Sequence, residues 1–151
     1  MSVRIQEADF DLGAEITALR AERKDIGAIV SFTGLVRDFN ECDTVTSLHL
    51  EHYPAMTEKV LKQMIGQAKS RWKITETLII HRVGTLLPGD QIVLVITAAA
   101  HRNEAFAACA FLMDFLKTQA PFWKKEHTTE ADRWVQARET DQLAAKKWEA
   151  L

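Results

Sequence analysis

Two cysteines, three prolines, one tyrosine and six glycines are all that this 151-residue chain holds of those residue types, and each scarcity removes a class of protein. Cys42 and Cys109 stand far apart, with no CxxC pair and no Cys/His ligand spacing, which argues against a disulfide framework and against a zinc site. Pro54, Pro88 and Pro121 are isolated, and no repeat or Gly/Ser-rich tract interrupts the chain, so a single domain over residues 1–151 is expected. The longest strongly apolar run, residues 91–100, is about half of the roughly 20 residues that a membrane-spanning helix needs. The opening segment, MSVRIQEADFD, has no apolar signal core, so the expected location is the cytoplasm. An excess of one charge is missing as well: 19 Lys and Arg stand against 21 Asp and Glu, a formal net charge of -2. Such a total provides no general pull toward nucleic acid or anionic membrane, although it can hide a local basic cluster. No P-loop, GxGxxG, GxSxG or HExxH pattern occurs, which takes weight from the common nucleotide-dependent and hydrolase classes. Neither a metal nor a cofactor is expected.

What is present is 47% apolar and 26% charged residues, the composition of a globular domain able to bury one core. Residues 3–5 read as a short strand and residues 13–23 as an amphipathic helix. Residues 28–36 and 45–53 are rich in β-branched and aromatic side chains, and the polar stretch 37–44 between them reads as a loop, so a long β-hairpin fits. Pro54 suits the first turn of a helix running to about residue 71, where Met56, Val60, Met64 and Ala68 recur every four residues. Residues 77–83 and 91–99 read as two antiparallel strands joined through the LPGD turn. From about 102 to 119 the spacing of Phe106, Cys109, Ala110, Met113 and Leu116 predicts a second long helix, stopped before Pro121. A loop carrying Phe122 and Trp123, a short strand at 133–137 and a last helix at 141–148 complete the order. Strands and helices mixed with hairpins favour an α+β fold, a largely antiparallel sheet packed against two long helices, over a doubly wound one.

Several residues stand where chemistry could be done. Lys117 lies in the last turn of the second long helix, where an ordinary dipole-capping cation would also sit. Pro121 then reverses the chain, and Lys124 and Lys125 follow, so Lys124 can come back beside Lys117. Two ammonium groups held close depress each other's pKa, which makes a lysine usable as acid, base or nucleophile near neutral pH. His101 and Arg102 mark the start of the same helix, where free backbone N–H groups favour anions, although polar residues commonly fill such junctions. Arg37 follows a strand containing Gly34, and a glycine within a strand often marks a bulge or a close backbone approach. His49 and His52 are three apart in a strand and point to opposite faces, so they do not grip one metal. His81 and Arg82 read as a strand end, and Trp72, Trp123, Trp134 and Trp148 as core or interface anchors.

Six segments, FTGLVRD (32–38), LEHYPAMTEK (50–59), IIHRVGTLLPGD (79–90), AAHRNEAF (99–106), MDFLKTQAPFWKKE (113–126) and DRWVQARE (132–139), together resemble the large, catalytic subunit of molybdopterin synthase, the MoaE family. The likeness runs from about residue 28 to 148, with the segments in the family's order and spacing. It implies an α+β subunit that forms a homodimer and binds a small ubiquitin-like sulfur-carrier subunit at each end, giving a heterotetramer. The carrier's C-terminal Gly-Gly thiocarboxylate would enter a pocket beside cyclic pyranopterin monophosphate, and two sulfur transfers would make the dithiolene of molybdopterin. By the family pattern Lys117 and Lys124 are catalytic, and Val36, Arg37, His101, Arg102, Lys125 and Glu126 line the substrate pocket. Gln119 stands where the family often has arginine, and Leu35 where lysine is frequent, so two positive charges are missing near that pocket.

The implied chemistry suits a basic pocket. Both ligands are anions, and cations from several chain positions would hold them together against their mutual repulsion. Arginines at 37 and 102 match planar phosphate recognition, whereas Lys117, given the larger role, can move protons or stabilise charge at the reacting carbon. Sulfur arrives on the partner's tail, so neither Cys42 nor Cys109 is required. Two other readings remain open from the residues alone: a non-catalytic α+β binding module whose basic loop at 124–125 docks an anion or acidic partner, and an unrelated enzyme acting on another phosphorylated metabolite.

Overall fold

A computed structural model describes residues 2–40 and 43–150; Cys42, and every expectation that concerns it, lies outside them. A four-stranded sheet is built from β1 (Ser2–Gln6), β2 (Ala28–Leu35), β5 (Ile74–Arg82) and β7 (Gln91–Ala99), in the order β1-β5-β7-β2. Only β1 runs parallel to its neighbour; β7 is antiparallel to both β5 and β2. The second sheet has β3 (Phe39–Asn40), β4 (Asp43–His52), β8 (Phe122–Thr128) and β9 (Asp132–Val135) in that order, with β6 (Gly84–Leu86) also paired to β4.

The period of two along β5 and β7 sorts their side chains between two cores. Ile79, Val93 and Val95 face α2 (Pro54–Arg71) and α3 (Arg102–Thr118), where Leu61, Met64 and Ile65 meet Phe111 and Leu112. Leu78, Ile80, Leu94 and Ile96 face the other way, onto Phe10 and the apolar side of α1 (Leu12–Arg20). A sheet covered on both faces explains why β7 reads as a continuous apolar run rather than an alternating one. A smaller cluster of Val36, Leu48, Leu50 and Leu86 packs the first sheet's edge against the second. Helix α4 (Glu139–Lys146) lies against α3, and the short 3-10 turn Lys147–Ala150 follows it. Trp148 on that turn is buried, stacks edge-on with Trp72 and Phe111, and donates its indole N–H to Asp114 at 2.6 Å.

The α+β architecture and the long helices lie where the periodicity places them, but three details differ. The strands at 28–36 and 45–53 do not form a hairpin: β2 pairs with β7, and β4 pairs with β8, in different sheets. Residues 122–128, expected as a loop, form a central strand paired with β4 and β9, so that Phe122, Lys124 and Glu126 alternate with Trp123, Lys125 and His127 across the pleat. In α2 and α3 the expected stripes hold in part: Met64, Ala68, Cys109 and Leu116 are buried, but Met56 and Phe106 at the helix starts are exposed, and Thr57, Leu61, Ala105, Phe111 and Leu112 join the buried face. A four-residue recurrence drifts around a helix of 3.6 residues per turn, so the apolar face cannot follow it for long.

Candidate active site

A cavity of about 370 Å³ opens where the two sheets meet the C-terminal end of α3. Its walls come from chain segments far apart in sequence: Leu35 at the end of β2 with Val36 and Arg37 after it, Asn40 on β3, Lys117 on α3, Lys124 and Glu126 on β8, and Arg138 just before α4. The approach of β2 is shaped by Gly34. The register of β2 against β7 shifts between Gly34 and Leu35, and a Cβ at Gly34 would stand 2.9 Å from the Val93 side chain. Val36 is then clamped by two backbone bonds, its N–H to the Asp90 carbonyl at 2.9 Å and its carbonyl accepting from Gly89 N–H at 2.8 Å. Gly89 takes φ +91°, which a residue with a side chain rarely adopts. The clamp sets where the exposed Arg37 begins.

The turn after α3 delivers the second lysine. Gln119 and Ala120 N–H groups both bond back to the Phe115 carbonyl, Pro121 prevents continuation, and β8 starts at once. The parity of the pleat sends Phe122, Lys124 and Glu126 to the cavity. Lys117 is exposed at the end of α3, whereas Lys124 is half-buried. Loss of hydration, with the Lys117 charge adding to it and Asp141 opposing it, pushes the Lys124 amine down to about 8. Glu126, only 4% exposed, accepts a 2.6 Å bond from Asn40 Nδ2 on one oxygen, while its Oε2 has no hydrogen-bond partner and lies 3.7 Å from Arg133. Arg138 donates to Asn40 Oδ1 at 2.8 Å, which ties the segment before α4 to the same wall.

Behind this wall stands His81. Its ring lies on that of Phe122, centroids 3.7 Å apart and planes 15° from parallel, and its Nδ1 is 2.8 Å from the Arg82 carbonyl. Burial, opposed by the bond to the Arg82 carbonyl and aided by the nearby Lys124 and Lys117 charges, pushes its pKa down to about 3, so it is neutral at any physiological pH.

Of the residues singled out from sequence, Val36, Arg37, Lys117, Lys124 and Glu126 line one cavity. Lys125 does not; it faces the other side of β8, with its amine 5.6 Å from the centre of the Trp134 ring. His101 and Arg102 are exposed at the start of α3 and do not line the cavity either. Fifteen residues of one helix separate Arg102 from Lys117, about 22 Å at the helical rise, too far for the two to share a pocket within one chain. Leu35, one of the departures from the family pattern, does line the cavity and is 52% exposed. Asn40, Arg138, Asp141 and His81 were not singled out as site residues. The DRWVQARE segment contains Arg138, but nothing local distinguishes it from a surface arginine, and His81 resembles any strand end until Phe122 is laid on it.

Comparisons with known proteins identify the family of the chain. The family model described as "MoaE protein" matches residues 5–119. The chain is 58% identical over 147 residues to the molybdopterin synthase catalytic subunit of Ralstonia nicotianae, covering 97% of this chain and 84% of that one. Among solved structures it is similar to the molybdopterin biosynthesis MoaE protein from Burkholderia ambifaria, at TM-score 0.84 and 53% identity over 98% of this chain and 97% of that one. It is also similar to molybdopterin synthase from Staphylococcus aureus, at TM-score 0.80 and 30% identity over 87% of this chain and 95% of that one.

Proposed function

Because the chain belongs to the MoaE family, we propose that it is a molybdopterin synthase catalytic subunit, a sulfurtransferase acting in the cytoplasm as one domain. It takes sulfur from the C-terminal thiocarboxylate of a small ubiquitin-like subunit and places it on cyclic pyranopterin monophosphate. The observation that carries this reading is the joining of Arg37, Lys117, Lys124 and Arg138 around one cavity of small-molecule size. Two anionic reactants need such a cluster, since each raises the cost of bringing in the other.

The residues divide the reaction by position. Arg37 and Arg138 can each present a planar fork to phosphate or carboxylate oxygens. The thiocarboxylate sulfur attacks the pterin carbon, forming a C–S bond as the carbon's oxygen departs. Lys117, at the open side, stabilises the negative charge on that oxygen. Lys124, whose amine titrates near 8, gives the oxygen its proton and can recover one from water within the same cycle. Hydrolysis of the remaining acyl–sulfur bond leaves sulfur on the pterin and a carboxylate on the carrier tail, so two loaded carriers are consumed per dithiolene. Sequence alone favours Lys117 for proton transfer; the drier surroundings of Lys124 move that role to it. Glu126 orders the wall through Asn40.

His101 and Arg102 enter this scheme through the homodimer. Exposed at the far end of α3, they can serve the pocket of a second copy, where the free N–H groups of the helix start would add to their attraction for an anion. A pure docking module would have no use for a lysine held near its titration point. The test is reconstitution: this chain, a thiocarboxylated small subunit and the cyclic pterin phosphate should yield molybdopterin, two carriers spent per product. Stable binding of the carrier without turnover would leave only the docking role.

A further inference from the structure

We propose that His81 is a positioning residue for Lys124: its ring on β5 forms the plate on which Phe122 lies, and so holds β8 with Lys124 turned into the cavity and sheltered from water. The inference rests on the assignment of Lys124 to proton transfer above. Phe122 and Lys124 are two residues apart on β8 and share a face, so whatever seats the Phe122 ring sets the start of the Lys124 side chain. Two rings hold Phe122. His81 stacks on it at 3.7 Å, and His52 from β4 lies tilted at 6.2 Å with its buried Nδ1 unbonded. The 2.8 Å contact with the Arg82 carbonyl makes Nδ1 the protonated nitrogen of the neutral ring, while the stacking on Phe122 is made by the ring itself.

A histidine suits this place only if it stays uncharged. A cation there would repel both lysines and admit water. The charged and titratable groups that line the cavity with Lys124 are Arg37 after β2, Lys117 from α3, Glu126 on its own strand, Arg138 just before α4 and Asp141 on α4, with His81 behind from β5. Of these, Lys117 alone lowers the Lys124 amine through charge, and Asp141 raises it. The largest cause is burial, and the proposal assigns a share of that burial to the stacked His81 and Phe122 rings, Phe122 lying two residues from Lys124 on the same face of β8.

The experiment reads the amine directly, in the full chain without substrates, by competitive acetylation of Lys124 across pH with mass-spectrometric detection. In the unaltered chain Lys124 should titrate near 8. His81→Ala removes the plate, and the titration should rise by about one pH unit or more as water enters. His81→Phe restores a ring without its nitrogens, and should return the titration to within about 0.3 units of the unaltered value. The alkaline limb of the pH–rate profile for sulfur transfer should move in parallel. If His81→Ala folds and Lys124 titrates as before, or if the phenylalanine variant shifts it as far as alanine does, the proposal is wrong. Should His81→Ala fail to fold, Phe122→Leu breaks the stack from the other side. It should raise the titration likewise, and an unchanged value there overturns the idea. Since acetylation needs no turnover, failure of the sulfur-transfer reading would show in the reconstitution and leave this readout intact.

Discussion

At the residue scale, the two lysines that meet in the cavity differ in what surrounds them, and the difference sets what each replacement should do. Arginine keeps a charge and cannot release a proton, its pKa lying above about 12. Lys124→Arg should therefore be nearly as damaging as Lys124→Ala, with single-turnover sulfur transfer falling on the order of 10²–10⁴-fold. Lys117→Ala should lose on the order of 10²–10³ for want of charge stabilisation, while Lys117→Arg recovers part of that loss. If the arginine variant at 124 works and the one at 117 does not, the two roles are exchanged. Lys124 also leaves a mark on stability. Its amine titrates near 8 in the fold against an ordinary 10.5. Below pH 8 both folded and unfolded chains carry the proton, and the folded one bears the desolvation. From 8 to 10.5 only the unfolded chain keeps it, so this group's contribution to stability rises with pH through that window. Lys124→Met abolishes the effect. Denaturant midpoints at pH 7 and pH 9.5 should show the unaltered chain gaining on the variant by on the order of 1–2 kcal/mol, after allowance for partial solvent access.

At the scale of elements, α3 does three separate jobs along its length: its start presents His101 and Arg102, its middle packs the core, and its end offers Lys117. Cys109 belongs to the middle. It is buried among Phe111, Leu112 and Val95, and burial pushes its thiol up to about 11, against a weaker opposing contact with Thr97. A thiol so far from ionising is a poor nucleophile. Cys109→Ser should consequently cost about 1–3 kcal/mol of stability, as a hydroxyl enters an apolar site. Sulfur transfer per folded molecule should remain within a factor of about two, since no step of transition-state stabilisation is removed. A hundredfold loss at unchanged melting temperature would instead mean that sulfur passes through this chain's own cysteine. The apolar rhythm made α2, α3, β5 and β7 legible without coordinates. Strand β8 was not legible, because a strand that carries Lys124, Lys125, Glu126 and His127 has no apolar face. It is a strand because β4 and β9 take its backbone hydrogen bonds on both sides.

At the scale of the whole molecule, several large apolar side chains stay exposed among the described residues. Phe106 on α3 is 61% exposed, and Phe32 and Leu35 are exposed on β2, an edge strand of the first sheet. Tyr53 and Trp123, exposed by 62% and 43%, stack edge to face beside the cavity-bearing strand. Exposed apolar residues of this size suit interfaces. The chain should run as a dimer in light scattering at micromolar concentration and gain the mass of two small subunits when the carrier is added. A monomer with no gain in mass would contradict the assembly and, with it, the pairing of His101 and Arg102 with a neighbour's pocket. No helix among the described residues is long and apolar enough to cross a membrane.

The sequence by itself determined the elements whose periodicity is strong, the α+β class, and, through six ordered segments, the family to which the cavity residues belong. It also placed Lys124 beside Lys117, because a helix end, a proline and a short turn leave the chain few ways to go. Tertiary structure decided everything that depends on which strand lies beside which. It separated β2 from β4, carried Arg138 and Asn40 to the lysines and turned Lys125 away. It alone made His81 a neutral plate. Burial, which shifts a pKa or orients a ring, comes from neighbours brought together across many residues, and local spacing does not record it.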